Sequence, residues 1–369
     1  MKILFLYLKS FSQIGGIEKF NRAFMKALND LSKSNTALSS SISLYDDKPD
    51  LNYIDKECFR GFNGNKISFI FYTLFHILKF DKIIIGHINL SFIGIFAKLL
   101  GKEVIVVAHG IEVWNTHSYF KRYMLKNADI VLSVSRYTKS RIIENINIDP
   151  DRIIVFPNTL DPYFAVGDVV NIIEIKGKYG IPSDCKIILT VSRLSSSEKY
   201  KGYEKVINIL PELKKNIAEF KYLIVGGGDK AELSRINNLI NELNLQDNVT
   251  LLGEIINKDL AGLYSSADVF IMPSTGEGFG IVFLEALANG LPVIAGNKDG
   301  STDPLMDGEL GILVDPESSK QILKALSDTL KKNINKDLLN RDKLKADVTS
   351  NFGFIKFKKN LDTVLKLNI

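Results

Sequence analysis

The sequence has 369 residues, 46% of them hydrophobic and 24% charged, with a formal net charge of +5. That length exceeds one ordinary hydrophobic core, so two domains are expected, and the composition excludes a disordered or fibrous chain. Its two cysteines, Cys58 and Cys185, exclude a disulfide framework and give no zinc spacing, which is the usage of a cytoplasmic protein.

The N-terminal run MKILFLYLKS is apolar only from Ile3 to Leu8, and no small-residue cleavage site follows it. It reads as a first buried strand and not as a leader. No stretch reaches the length of uninterrupted apolar residues that a spanning helix needs. Further strands are expected at 82–88, 103–109, 129–135 and 152–158, with helices at 17–33, 90–100 and 118–128. The segment KISFIFYTLFHILKF (66–80) is the most hydrophobic helix candidate. A core helix on the first sheet is the favoured reading, and a lysine-flanked interfacial helix is the other. Segment 161–185 breaks the alternation and carries Pro and Gly, as a domain boundary and hinge would. A second series follows, with strands beginning near 186 and at 222–228, 248–254, 269–274 and 291–296. The expected fold class is therefore α/β, with two Rossmann-like domains facing each other across a cleft. Residues 1–165 form the first, joined by a C-terminal helix at about 352–368 within 352–369, and residues 166–351 form the second.

Charge is unevenly placed. Residues 1–165 hold 21 Lys and Arg against 15 Asp and Glu, while the remainder holds 26 against 27. A basic first half suits an anionic partner. Nucleic acid is not expected, because no basic-aromatic binding motif appears.

In open parallel sheets ligands bind beyond the carboxyl ends of the strands. The loops there carry Gly15 and Gly16 after the first strand, His109 at the end of EVIVVAH, and Arg193, Lys199 and Lys201 after KIILTVS. Asp229 follows YLIVGGG, and TGEGFG (275–280) follows VFIMPS. Two cations beside a glycine turn that opens a helix at 280–282 suit a diphosphate. Glu277 lies in that turn, and Glu285 lies in an otherwise apolar helix where a carboxylate needs a polar partner. Each can accept two hydrogen bonds from a vicinal diol, so a sugar nucleotide satisfies the set. The other readings are a buried ion pair for Glu285, surface salt bridges for Arg193 and Lys201, and a core histidine for His109. NAD fits poorly, since no G-x-G-x-x-G follows the first strand. The four histidines, His76, His87, His109 and His117, show no metal-ligand spacing.

The run EGFGIVFLE (277–285), with its E-x7-E spacing, followed by A-x-x-x-G-x-P-V-I-A (286–295), resembles the signature of the retaining group 1 glycosyltransferases of the GT-B fold. GGIEKF (15–20), AHGIEVW (108–114), FPNTLD (156–161), SRL…KYKG (192–202), IVGGGD (224–229) and GILVDP (311–316) follow in the same order. The resemblance implies a hexosyltransferase that needs no metal or other cofactor, with a UDP-sugar donor favoured over a GDP-sugar. The second domain would bind the donor, with the base near the backbone of 251–254, and the first a glycan or lipid-linked glycan acceptor. Glu285 would hold the ribose hydroxyls and Glu277 the sugar hydroxyls. Arg193 and Lys201 would meet the diphosphate, with amides of Phe279, Gly280, Ile281 and Val282 assisting. His109 would lie near the reacting face of the sugar and Gly16 on the loop approaching the donor. The serines and Tyr200 lengthen the loop before Lys201, which leaves Lys199 and Lys201 both open for the phosphate. Surface polysaccharide assembly at the inner membrane face, with peripheral contact through the basic domain, is the implied setting. An epimerase acting on the donor alone and a hinged two-domain binding protein are the alternatives.

Overall fold

The computed structural model describes residues 1–34, 37–164, 166, 172–255 and 257–367. Residues 165 and 167–171 of the expected hinge, and 368 and 369 of the expected C-terminal segment, lie outside the described residues. The chain divides into two units, Met1–Pro162 with Phe352–Ile369, and Tyr163–Asn351.

The first unit is built on a seven-stranded sheet of β1 (Lys2–Tyr7), β2 (Leu38–Ser43), β3 (Phe59–Gly61), β4 (Lys82–Ile85), β5 (Glu103–Ala108), β6 (Ile130–Ser133) and β7 (Ile153–Val155). All neighbours are parallel, in the order β3-β2-β1-β4-β5-β6-β7. Helices cover both faces of such a sheet, so its strands read as unbroken apolar runs. Ile3 through Tyr7 and Val104 through Ala108 are fully buried for this reason.

Two strands of this sheet were not among the sequence expectations. β2 reads LSSSIS, and its serines look like a loop. The sheet buries them by giving their hydroxyls partners: Ser39 Oγ meets Ser32 Oγ at 2.8 Å, and Ser43 Oγ donates to Asp46 at 2.8 Å. β3 has only three residues and pairs with β2 at the sheet edge.

The second unit carries β8 (Lys186–Val191), β9 (Phe220–Val225), β10 (Val249–Gly253), β11 (Val269–Met272), β12 (Val293–Gly296) and β13 (Ile312–Val314). They form a six-stranded parallel sheet in the order β10-β9-β8-β11-β12-β13. β13 falls in the GILVDP motif and adds an edge strand that alternation alone did not reveal.

The last helix, Phe354–Leu365, lies against the helix Gly16–Lys33 of the first unit. Phe357, in the first turn of the last helix, has its ring centroid 4.8 Å from that of Phe156, 5.8 Å from Phe20 and 6.3 Å from Phe24. Edge-to-face rings at such separations add to simple burial. Phe357→Ala is expected to lower the unfolding free energy of this unit by about 3–5 kcal/mol, read from urea denaturation. A loss below about 1 kcal/mol would show that the ring is not part of that core.

Candidate functional site

In the second sheet the strand order reverses between β8 and β11. A crevice opens at such a switch point, beyond the strand ends, because the two flanking loops leave toward opposite faces. The loops here are 192–202, after β8, and 273–280, after β11, and they carry Arg193, Lys201 and Glu277.

The two loops are fitted to one another. Thr275 N donates to Tyr200 O at 2.9 Å. Gly202 has φ +83° and lies so close to Pro273 O that a Cβ would collide with it, and a Cβ on Gly276 would strike the Tyr200 ring. This seating brings the Lys201 ammonium onto the Glu277 carboxylate as a hydrogen-bonded ion pair. Burial works against the Lys201 charge, but Glu277, with Tyr200 and Glu198, outweighs it and lifts the lysine above its ordinary pKa. Lys199 is exposed.

A residue that the sequence reading passed over fixes the Glu277 turn. Asp299 is 1% exposed, and one carboxylate oxygen accepts from Ser274 Oγ and Glu277 N, each at 2.7 Å. Its other oxygen accepts from Ser301 N at 2.9 Å, and Gly300 N donates back to Glu277 O at 2.9 Å. Burial raises the Asp299 pKa, against the pull of these donors. The Asp-Gly-Ser turn of N-K-D-G-S was the available signal, since Asp binds its own backbone two residues on.

Arg193 is the more accessible cation, with 62% of its side chain exposed, and it pairs with Glu198 at 2.8 Å. Its loop is also tied to the glycine end of β9: Leu194 N donates to Gly227 O at 2.8 Å, and Asp229 N donates to Leu194 O at 3.0 Å. Asp229 accepts from Ser196 N and Glu232 N, both at 2.8 Å. Those amides hold its pKa down at about 2. Asp229 thus caps the helix Lys230–Glu242 while anchoring the cationic loop.

Gly280 enters the helix Ile281–Ala288 in the left-handed region, at φ +89°. Phe279 and Ile281 are buried, so their side chains belong to the core and only their backbone can face a ligand. Glu285 is 1% exposed and accepts from Tyr264 Oη at 3.2 Å. Burial, then the Glu285 charge, pushes the Tyr264 hydroxyl well above its usual pKa.

The remaining candidates lie in the first unit. His109 is buried, and its Nε2 is 2.8 Å from Gly86 O. A carbonyl only accepts, so Nε2 carries the proton and a neutral ring leaves Nδ1 as an acceptor. Its own amide and that of Gly110 donate to Glu112 Oε1 at 2.6 and 3.2 Å. Gly16 opens its helix, and apart from its chain neighbours and its own helix backbone no atom of the described residues lies within 4 Å of where a Cβ would stand. The preceding loop is gripped by Asp46, which accepts from the amides of Ser10, Phe11 and Ser12 at 2.8–3.0 Å. Among the described residues, no three His, Cys, Asp or Glu side chains gather as a metal site would.

Residues 171–346 match the family described as "Glycosyl transferases group 1", and residues 14–164 match "Glycosyltransferase Family 4". The chain belongs to the group 1 glycosyltransferases. The chain is 30% identical over 264 residues to a Mycolicibacterium smegmatis protein named GDP-mannose-dependent alpha-(1-6)-phosphatidylinositol monomannoside mannosyltransferase. The match covers 65% of this chain and 64% of that protein, so it spans somewhat less than two thirds of the relative. Its fold is that of the Anabaena HepE protein crystallised with UDP and glucose, with a TM-score of 0.79 at 18% identity over 99% of each chain. A Rickettsia africae glycosyltransferase has the same fold, with a TM-score of 0.79 at 23% identity over 100% of this chain and 99% of the other.

Two outcomes follow from this geometry. Gly202→Ala is expected to destabilise the second unit by about 1–3 kcal/mol, because the new side chain meets both a strained backbone and Pro273 O; an unchanged thermal midpoint would contradict the fit. The second concerns pH. Burial lowers the pKa of His109, and burial with the neighbouring His109 pushes His87 down to about 3. Both rings are lower in the folded than in the unfolded state, so their contribution is complete above about pH 6.5 and falls away as the pH drops below it. Thermal midpoints measured between neutral and mildly acidic pH should fall, and His87→Gln should flatten that slope.

Proposed function

We propose that the protein transfers a hexose from a nucleotide diphosphate sugar to a hydroxyl of a glycan or lipid-linked glycan, retaining the anomeric configuration and using no bound metal. One observation carries the reading: at the switch point of the second sheet, Lys201 of one loop is seated on the glutamate turn of the other, beside a helix start and on the same loop as Arg193.

Departure of the nucleotide builds negative charge on the β-phosphate. In this reading Lys201, held in place by Glu277, and Arg193, free to swing from Glu198, stabilise that charge, with the amides at Phe279, Gly280, Ile281 and Val282 assisting. Lys201, and not the exposed Lys199, takes the phosphate role. Glu277 is acceptor for the sugar hydroxyls and Glu285 for the ribose, while His109 and Gly16 act on the donor sugar. The departing phosphate takes the acceptor's proton, which needs no separate base. UDP is the favoured nucleotide, supported by the UDP and glucose held by HepE. GDP is the second reading, favoured by the name of the mycobacterial relative. Assembly of a surface polysaccharide at the inner membrane face, with peripheral contact through the basic unit, completes the proposal. Among the described residues no helix is long and apolar enough to cross a membrane.

A specific donor raises the thermal midpoint by mass action, so a panel of UDP- and GDP-sugars identifies the nucleotide. Glu285→Gln is expected to abolish that shift while leaving the ligand-free midpoint near wild type. Lys201→Ala is expected to cut turnover by about 10²–10³. Donor affinity unaltered by Glu285→Gln would refute the ribose assignment, and donor turnover without an acceptor would point to an epimerase instead.

A further inference from the structure

Three helices of the first unit present a second apolar stripe to the outside. The helix Lys66–Ile77 buries Phe69, Thr73 and Ile77 against the sheet. On its far side, Ile67, Phe71, Phe75 and Leu78 follow at helical spacing and are 71, 60, 71 and 59% exposed. The helix Ser91–Leu99 repeats the arrangement with Phe92 and Leu99, 56 and 78% exposed. The helix Tyr119–Asn127 adds Tyr119, Phe120 and Tyr123. These helices make the crossovers β3→β4, β4→β5 and β5→β6, all running in one direction along the sheet, so they lie on the same face. Each touches the next.

An apolar face of this extent is not a solvated surface. Its charge selects the occupant. The three helices hold five Lys or Arg side chains and no Asp or Glu. Lys98 is matched by Asp129, but no carboxylate among the described residues pairs with Lys66, Lys79, Lys121 or Lys126. Aromatic and aliphatic side chains bounded by cations suit the boundary between acyl chains and anionic headgroups. A second copy of the chain would bring the same unpaired cations against these.

We propose that this face, centred on Phe71 and Phe75, seats the protein on an anionic lipid bilayer, with Lys66, Lys79, Lys121 and Lys126 in the headgroups. The inference rests on the membrane contact proposed above and is independent of the donor assignment.

The test is flotation of the full chain with phosphatidylcholine vesicles prepared with and without phosphatidylglycerol, no nucleotide present. The wild type is expected to float with the anionic vesicles only, and less as salt is raised. Phe71→Ser with Phe75→Ser should weaken binding at least about tenfold while leaving the thermal midpoint unchanged, since both rings are exposed. Lys66→Gln with Lys79→Gln should weaken it through charge alone and remove part of the salt dependence. Absence of flotation, equal binding by the doubly substituted proteins, or a wild-type dimer that the Phe71/Phe75 substitutions dissociate would each overturn the proposal. Nucleotide-induced thermal shifts measured without vesicles tell this failure apart from failure of the donor reading.

Discussion

The buried carboxylate of Asp299 is the constraint on which the second unit's site depends. Removing an ionised carboxylate from water is costly unless hydrogen-bond donors replace the lost hydration. Ser274, the Glu277 amide and the Ser301 amide do so; the first two bonds fix points on the loop that presents Glu277, and the third shapes the turn that carries Asp299. The adjacent loop is fixed in turn by close backbone approach at Gly202 and Gly276. Lys201 and Glu277 meet because both loops have few other conformations available. Opposite charges ordered before a ligand arrives need little rearrangement when charge develops beside them, the condition under which electrostatic stabilisation is most effective.

The first unit uses the same device on different residues. Asp46, 1% exposed, gathers three consecutive amides of the loop after β1 and so sets the entry of the helix that begins at Gly16. In each unit an aspartate from a neighbouring segment grips a strand-end loop. Neither aspartate lies in the loop it holds, which separates the residues that shape the site from those assigned to ligand contact.

That separation also explains what the sequence could and could not reveal. Fully buried parallel strands are long apolar runs, so β1, β5, β8 and β11 were legible from composition alone. The apolar helix around Glu285 was legible for the same reason, and its glutamate is indeed buried, against Tyr264. β2 was not, because serines enter a sheet interior only when specific hydroxyl partners exist, and nothing in the run LSSSIS shows that nearby Ser32 and Asp46 turn toward it. Arg193, Lys201 and Glu277 could be picked out by residue type and loop position. Their pairing could not, since Lys201 on Glu277 and Arg193 on Glu198 depend on how two loops 76 residues apart in one case, and one turn of chain in the other, come to rest. The outward stripe of Phe71 and Phe75 shows the limit of hydrophobicity as a signal: the segment 66–80 is apolar on two sides, and only the structure tells which side the sheet covers.

The helix Phe354–Leu365 belongs to the first unit although the whole of the second unit precedes it in the chain. During synthesis the rings of Phe20, Phe24 and Phe156 therefore emerge long before Phe357, the ring that closes their cluster. The amino-terminal sheet must wait, with that apolar surface uncovered, while some two hundred further residues are translated, a span the ribosome needs about ten seconds or more to complete. The first unit to be made is thus the last to be finished.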